Sequence, residues 1–144
     1  MKKQDTLKLL KECDAGVKMG VASIDSILDY VHTYSLKSYL RDCKIAHEKL
    51  GCEIETLLDH YHEEGKNPNP IATGIAKMKT NIRLALDESD KTVADVVSDG
   101  CHMGVKSLHR YLNQYEHADE KSKNITQSLI RQEEQLAVHL RKFL

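Results

Sequence analysis

The chain has 144 residues, of which 40% are hydrophobic and 30% charged, and its formal net charge is −1. That is the length of one domain, with enough apolar content to build a core, so a disordered chain is excluded. Acids and bases are interspersed, and no apolar run approaches the roughly 18 residues of a bilayer span, so neither nucleic acid nor a membrane is an expected partner.

The opening Met1-Lys2-Lys3-Gln4-Asp5 runs into an amphipathic pattern and not into the apolar core of a signal peptide, which makes the cytoplasm the expected compartment. Leu7, Leu10, Asp14, Val17, Val21, Ile24, Leu28 and Val31 then recur at alternating steps of three and four, the spacing of one helix face in a bundle. This predicts a first helix over 5–34, with Ser35 as the N-cap of the next. Leu36, Leu40, Cys43, His47, Leu50, Ile54, Leu57 and Tyr61 repeat the pattern and predict a second helix over 36–64, stopping at Gly65. The short link makes the two antiparallel neighbours.

The chain's two prolines, Pro68 and Pro70, mark a break. Asn69 reads as an N-cap with Pro70 in the first helical position, where its missing N–H costs nothing. Ile71, Ile75, Met78, Ile82 and Ala85 follow at helical spacing and predict a crossover helix over 70–87. Glu88-Ser89-Asp90 caps a third long helix over 91–117, with Ala94, Val97, Cys101, Val105, Leu108, Leu112 and Tyr115 on one face. A polar turn leads to a fourth over 120–143, with Ile125, Leu129, Gln132, Leu136, Leu140 and Phe143. The expected fold is all-α: a single antiparallel four-helix bundle of two hairpins, 5–64 and 91–143, joined by the crossover. Met19-Gly20-Val21 against Met103-Gly104-Val105, and His47-Glu48 against Gln132-Glu133, suggest that one hairpin duplicates the other. Gly20, Gly51 and Gly104 each cost a helix about 1 kcal/mol, so close helix approach is expected there.

A bundle of this kind suggests a di-iron site of the ferritin-like type. That chemistry takes a carboxylate from each of two helices and Glu-x-x-His from each of the others, so that both ligands face inward one turn apart. Gly51, Thr56, Leu58, Leu136 and Ala137 stand three residues after Glu48, Glu53, Glu55, Glu133 and Glu134, and no Glu-x-x-His occurs. Asp29/His32, Asp59/His62 and Asp99/His102 have the spacing with aspartate, the first two near helix ends, where a solvated or capping role is expected. The candidates for an atypical metal site are Asp14, His47, Cys101, His102 and His139, with Gln132 beside them. The structural alternative pairs Asp14 with a lysine or histidine and bonds His47 to Ser23 or Gln132. Cys13, Cys43, Cys52 and Cys101 form no C-x-x-C pair; Cys13, Cys43 and Cys101 fall on or beside the apolar stripes and read as free core thiols, with a redox or thiolate role as the alternative. His102 and His109, seven apart, share a helix face; with His117 nearby they read either as a solvated face or as a surface histidine patch that binds metal adventitiously or senses pH. No phosphate loop, nucleophile elbow or nucleotide fingerprint appears.

Leu9, Cys13, Asp14 and Gly16, then Ile71-Ala72-Thr73-Gly74-Ile75-Ala76-Lys77-Met78-Lys79 with Leu84-Ala85-Leu86, then the stretch Gly100 to Leu112, carry a resemblance in their order and spacing. Over nearly its whole length the chain resembles the bacterial ferritin-like four-helix-bundle proteins classed as a domain of unknown function. The resemblance implies the ferritin-like fold and carries no activity. Proteins of that family place an acidic residue just after the glycines of the first and third long helices. Val17 and Cys101 stand there in this chain, which implies that an ancestral metal site is lost.

The expectation is a non-catalytic structural or protein-interaction module without a cofactor, acting as a homo-oligomer or with a protein partner. Tyr30, Tyr34, Tyr39 and Tyr111 offer contact surface outside the apolar seams. The alternatives are an atypical metal-binding protein, for iron binding or redox chemistry, and a small-ligand or haem site using His47.

Overall fold

The two proline-free stretches each fold into a pair of long helices, and the chain between them adds a fifth. The computed structural model describes the backbone of residues 1–144 and every side chain except those of Ile71, Ala72 and Ile75. Among the described residues all regular structure is helical: α1 (Lys2–Ile27), α2 (Tyr34–His60), α3 (Pro70–Leu86), α4 (Asp90–Gln114) and α5 (Glu120–Leu140).

Most boundaries follow the periodicity, and the departures have local causes. The first helix stops at Ile27 rather than 34 and tightens into a 3-10 turn at Leu28–Tyr30. Val31 is extended, which swings the next amides outward: His32 N and Thr33 N donate to the Asp90 carboxylate at 2.8 and 2.9 Å. Thr33, not Ser35, therefore sits at the start of α2, with its hydroxyl also bonded to Asp90. At the other end α2 stops at His60, before Gly65. His62 adopts the left-handed conformation (φ 58°), and Glu63 N–H closes onto Leu58 O at 2.9 Å. This is the six-residue closure that satisfies the last carbonyls of a helix. Ser89 Oγ and Asp119 Oδ1 cap α4 and α5 by accepting from Thr92 N and Ser122 N.

These ties fix the directions of the helices. Asp90, at the start of α4, holds the α1–α2 link. Asp5, near the start of α1, accepts from His117 N at 3.0 Å in the α4–α5 link, and Thr6 Oγ1 accepts from Asp119 N at 2.8 Å. So α1 and α5 run away from the Met1 end, while α2 and α4 run back toward it. α1 packs chiefly on α2 and α4 on α5, with further contacts of α1 on α4 and α5 and of α2 on α5.

The core is divided along the long axis. Leu9, Leu10, Cys13, Val17, Leu50, Ile54, Leu58, Leu108, Leu129 and Ile130 form an apolar cluster toward the Met1 end. Ile24, Ile27, Leu36, Leu40, Val93, Ala94, Cys101, Leu136 and Leu140 form the other. All four long helices contribute to both. Full burial of a Leu or Ile side chain stabilises by about 1.5–3 kcal/mol, so these clusters drive the packing.

α3 returns the chain from one end to the other and packs mainly on α4. Its orientation departs from what its stripe implies. Met78, Ile82 and Leu86 are 64%, 55% and 84% exposed, and Ala85 is exposed as well. The opposite face meets the protein: Leu84 is buried, Thr73 and Thr80 are half-buried, and the Arg83 guanidinium pairs with Asp95 and Asp99 of α4. Ile71 and Ile75, the remaining members of the stripe, lie outside the described side chains.

Candidate functional site

Between the two apolar clusters lies a polar layer. His47 on α2 is 1% exposed and faces Glu133 on α5, with Nε2 and Oε1 2.6 Å apart. Its other ring nitrogen, Nδ1, is 2.8 Å from the Cys43 carbonyl, one turn back on its own helix. A carbonyl only accepts, so Nδ1 carries a proton and donates. The contact to Glu133 then also holds a proton, on imidazolium or on carboxylic acid. Burial alone lowers the imidazole pKa, but the Glu133 hydrogen bond and charge, with the Cys43 carbonyl, outweigh it and leave the pKa raised. The raised imidazole pKa favours an imidazolium–carboxylate pair.

Two thiols adjoin this pair. Burial, then the charge and hydrogen bond of Glu133, hold the Cys101 thiol far above its usual range. Burial pushes the Cys43 thiol up to about 11, against a hydrogen bond to Tyr39 that lowers it. Cys13, lying 3.2 Å from Thr126 Oγ1 inside the core, is likewise pushed up to about 11 by burial. Thiolate is the nucleophilic and metal-binding form, so these three cysteines are held in their inert state. Cys52 alone among the cysteines is exposed.

The layer needs a small residue beside it. A Cβ built on Gly20 meets His47 Cδ2 at 3.0 Å and Nε2 at 3.2 Å. A Cβ on Gly104 lies 3.8 Å from Glu133 Oε2, an ordinary contact. The two matching glycines are thus not equivalent. Gly104→Ala is expected to raise stability by about 0.5–1 kcal/mol through helix propensity. Gly20→Ala is expected to lose that gain and more as the imidazole is displaced. Thermal unfolding of both variants checks this, and equal effects would remove the steric role given to Gly20.

The sequence candidates do not converge on one point. His47 and Cys101 meet at Glu133, a residue absent from the candidate list. Asp14 belongs elsewhere: it is 1% exposed and its Oδ2 accepts from Lys18 Nζ at 2.7 Å and from Lys66 N at 2.9 Å. His139 stacks on Tyr39 with ring centroids 3.5 Å apart, and burial, then Lys142, lowers its pKa. His102 is exposed, near Lys106, Val138 and Arg141. Gln132, at the position expected to bond His47, keeps a buried Oε1 that finds no hydrogen-bond partner among the described residues. Ser23 is exposed and is not the histidine's partner either. Among the described residues no group of three or more His, Cys, Asp or Glu is placed to hold a metal ion, and no helix is long and apolar enough to cross a membrane.

Glu133 was readable in principle. It stands three residues after Ile130 and four before Ala137, both buried. The buried face of α5 is therefore two stripes wide, and a single three-four stripe through Gln132 misses the second.

No family model matches the sequence, and no curated protein or solved structure matches it.

Proposed function

We propose that this protein is a non-catalytic helical module that acts through protein association, built as a ferritin-like bundle whose crossover helix is α3. The observation that carries this is the outward stripe of α3: Met78, Ile82 and Leu86, one turn apart and all exposed, on a helix that meets the protein through its opposite face with Leu84 and Arg83. Contiguous apolar surface of this kind marks an interaction site. The polar layer favours a structural role over a catalytic one. Its imidazole and carboxylate are satisfied by each other, and its thiols are held protonated. A central polar pair of this sort fixes the register of helices against one another.

The pairing of ends supports a duplicated hairpin. Asp5 holds His117 N as Asp90 holds His32 N, and the positions correspond at one offset of 85 (90 − 5 and 117 − 32).

Light scattering across a concentration series tests the association. A dimer or larger oligomer is expected, and Met78→Ser/Ile82→Ser is expected to shift it to monomer with helicity retained. A strict monomer at every concentration overturns the reading.

A further inference from the structure

Resting on that association reading, we infer that the partner is a second copy of this chain, and that α3 of each copy packs on the outward face of the C-terminal half of α2 of the other.

The argument is one of charge and shape. α3 carries Lys77, Lys79 and Arg83 and no acidic residue. Arg83 is engaged by Asp95 and Asp99, which leaves Lys77 and Lys79, both exposed, as the basic groups of its outer surface. Two α3 helices laid face to face would bring those lysines together, so direct self-pairing is disfavoured by like charge. The complementary surface is present on the same chain. From residue 45 onward the outer surface of α2 carries Glu48, Glu53, Glu55 and Asp59 against Lys49 and His60. All of these are exposed, and so are Ile45 (62%), Cys52 and Thr56, which run along the same outward face at helical spacing. That face offers a narrow seam flanked by Glu53, Glu55 and Asp59, with Lys49 and the Lys44–Glu48 pair (3.8 Å) toward its N-terminal end, about the length of α3, where α3 offers an apolar stripe with lysines and no acid.

Because each copy has both surfaces, a two-fold arrangement forms the contact twice and closes. The interface area is doubled relative to one helix pair. A stable interface needs about 800 Å² per partner, which two helix-on-helix seams approach more readily than one. Cys52 lies inside the seam, beneath the Met78–Ile82 region of the partner.

Charge reversal on either side tests the pairing, read by analytical ultracentrifugation of the full chain. Glu53→Lys/Glu55→Lys is expected to weaken dimerisation about tenfold or more, since each reversal acts in both seams. Adding Lys77→Glu/Lys79→Glu is expected to restore most of the loss. Independently, labelling of Cys52 by a maleimide is expected to slow as protein concentration rises through the dimer range, and Met78→Cys is expected to give an intermolecular cross-link to Cys52 with a short bis-maleimide. If association persists but responds to neither reversal and Cys52 labels at a constant rate, the α2 surface is wrong while the association reading stands. If Met78→Ser/Ile82→Ser abolishes association but charge reversal does nothing, the stripe stands and this partner assignment falls. A monomer throughout overturns both.

Discussion

Replacing Glu133 with alanine is expected to destabilise the protein by about 3 kcal/mol, because the substitution leaves a buried imidazole without its counter-charge. For a chain of this length that corresponds to a fall of about 10 °C in Tm. His47 is 1% exposed, so its ring has no other solvent contact to compensate for the lost carboxylate. The double variant His47→Leu/Glu133→Leu is expected to recover most of the loss, since two apolar side chains leave no polar group to desolvate. The cycle thereby separates the cost of an orphaned partner from the net worth of the pair. Additive losses in the double variant would show that the two residues act separately.

The same pair sets a pH dependence. The folded pKa of His47 is raised above its ordinary 6.5. A raised pKa means that the folded state binds the proton more tightly than the unfolded chain does. The pair's contribution is therefore fully present below about pH 6.5 and is lost as pH rises through the folded value. Urea titrations at pH 6 and pH 9 should show the gap between wild type and Glu133→Ala narrowing at the higher pH. A gap that widens would show that the folded state does not hold an extra proton at this pair.

Much of the helical layout can be read from the alternation of three and four. Leu36, Leu40, Leu50 and Ile54 are buried as their spacing requires, and α3 and α4 start where Pro70 and Ser89 put them. Periodicity identifies which residues share a face, however, and not what that face meets. The stripe through Met78 and Ile82 is a correct helical stripe, and it points to solvent because Leu84 and Arg83 on the other face have better partners on the protein. The end of α1 depended on Asp90, 58 residues beyond His32, so no local signal could set it. The polar layer was half legible. His47 stood out as a polar residue on an apolar stripe, but its partner lay next to the stripe drawn through Gln132. A buried charge is identified in sequence only when its counter-charge falls on a face already assigned to the core.

Asp14, like His47, is a polar residue on an apolar stripe, and its structural role predicts a local rather than a central failure. Its carboxylate anchors the segment between α2 and α3. Oδ2 takes the Lys66 amide and the Lys18 ammonium, Glu12 pairs with the Lys66 side chain, and Lys11 pairs with Glu63 at 2.9 Å. A Cβ on Gly65 would clash with that same Oδ2, so the segment passes directly over the carboxylate at a residue without a side chain. Asp14→Ala is expected to cost about 2 kcal/mol, since the Lys66 N–H loses its acceptor next to the core. Asp14→Asn keeps an acceptor and should cost less. Because the loss is confined to one end of the linker, amide exchange at Lys66 and proteolysis within 61–69 should accelerate more than global unfolding does. Gly65→Ala should reproduce that local signature, with the carboxylate pushed aside instead of removed. If either variant unfolds the whole chain without first releasing the linker, the anchor is part of the core cooperative unit. In that case α3 is held in place by more than Leu84 and Arg83.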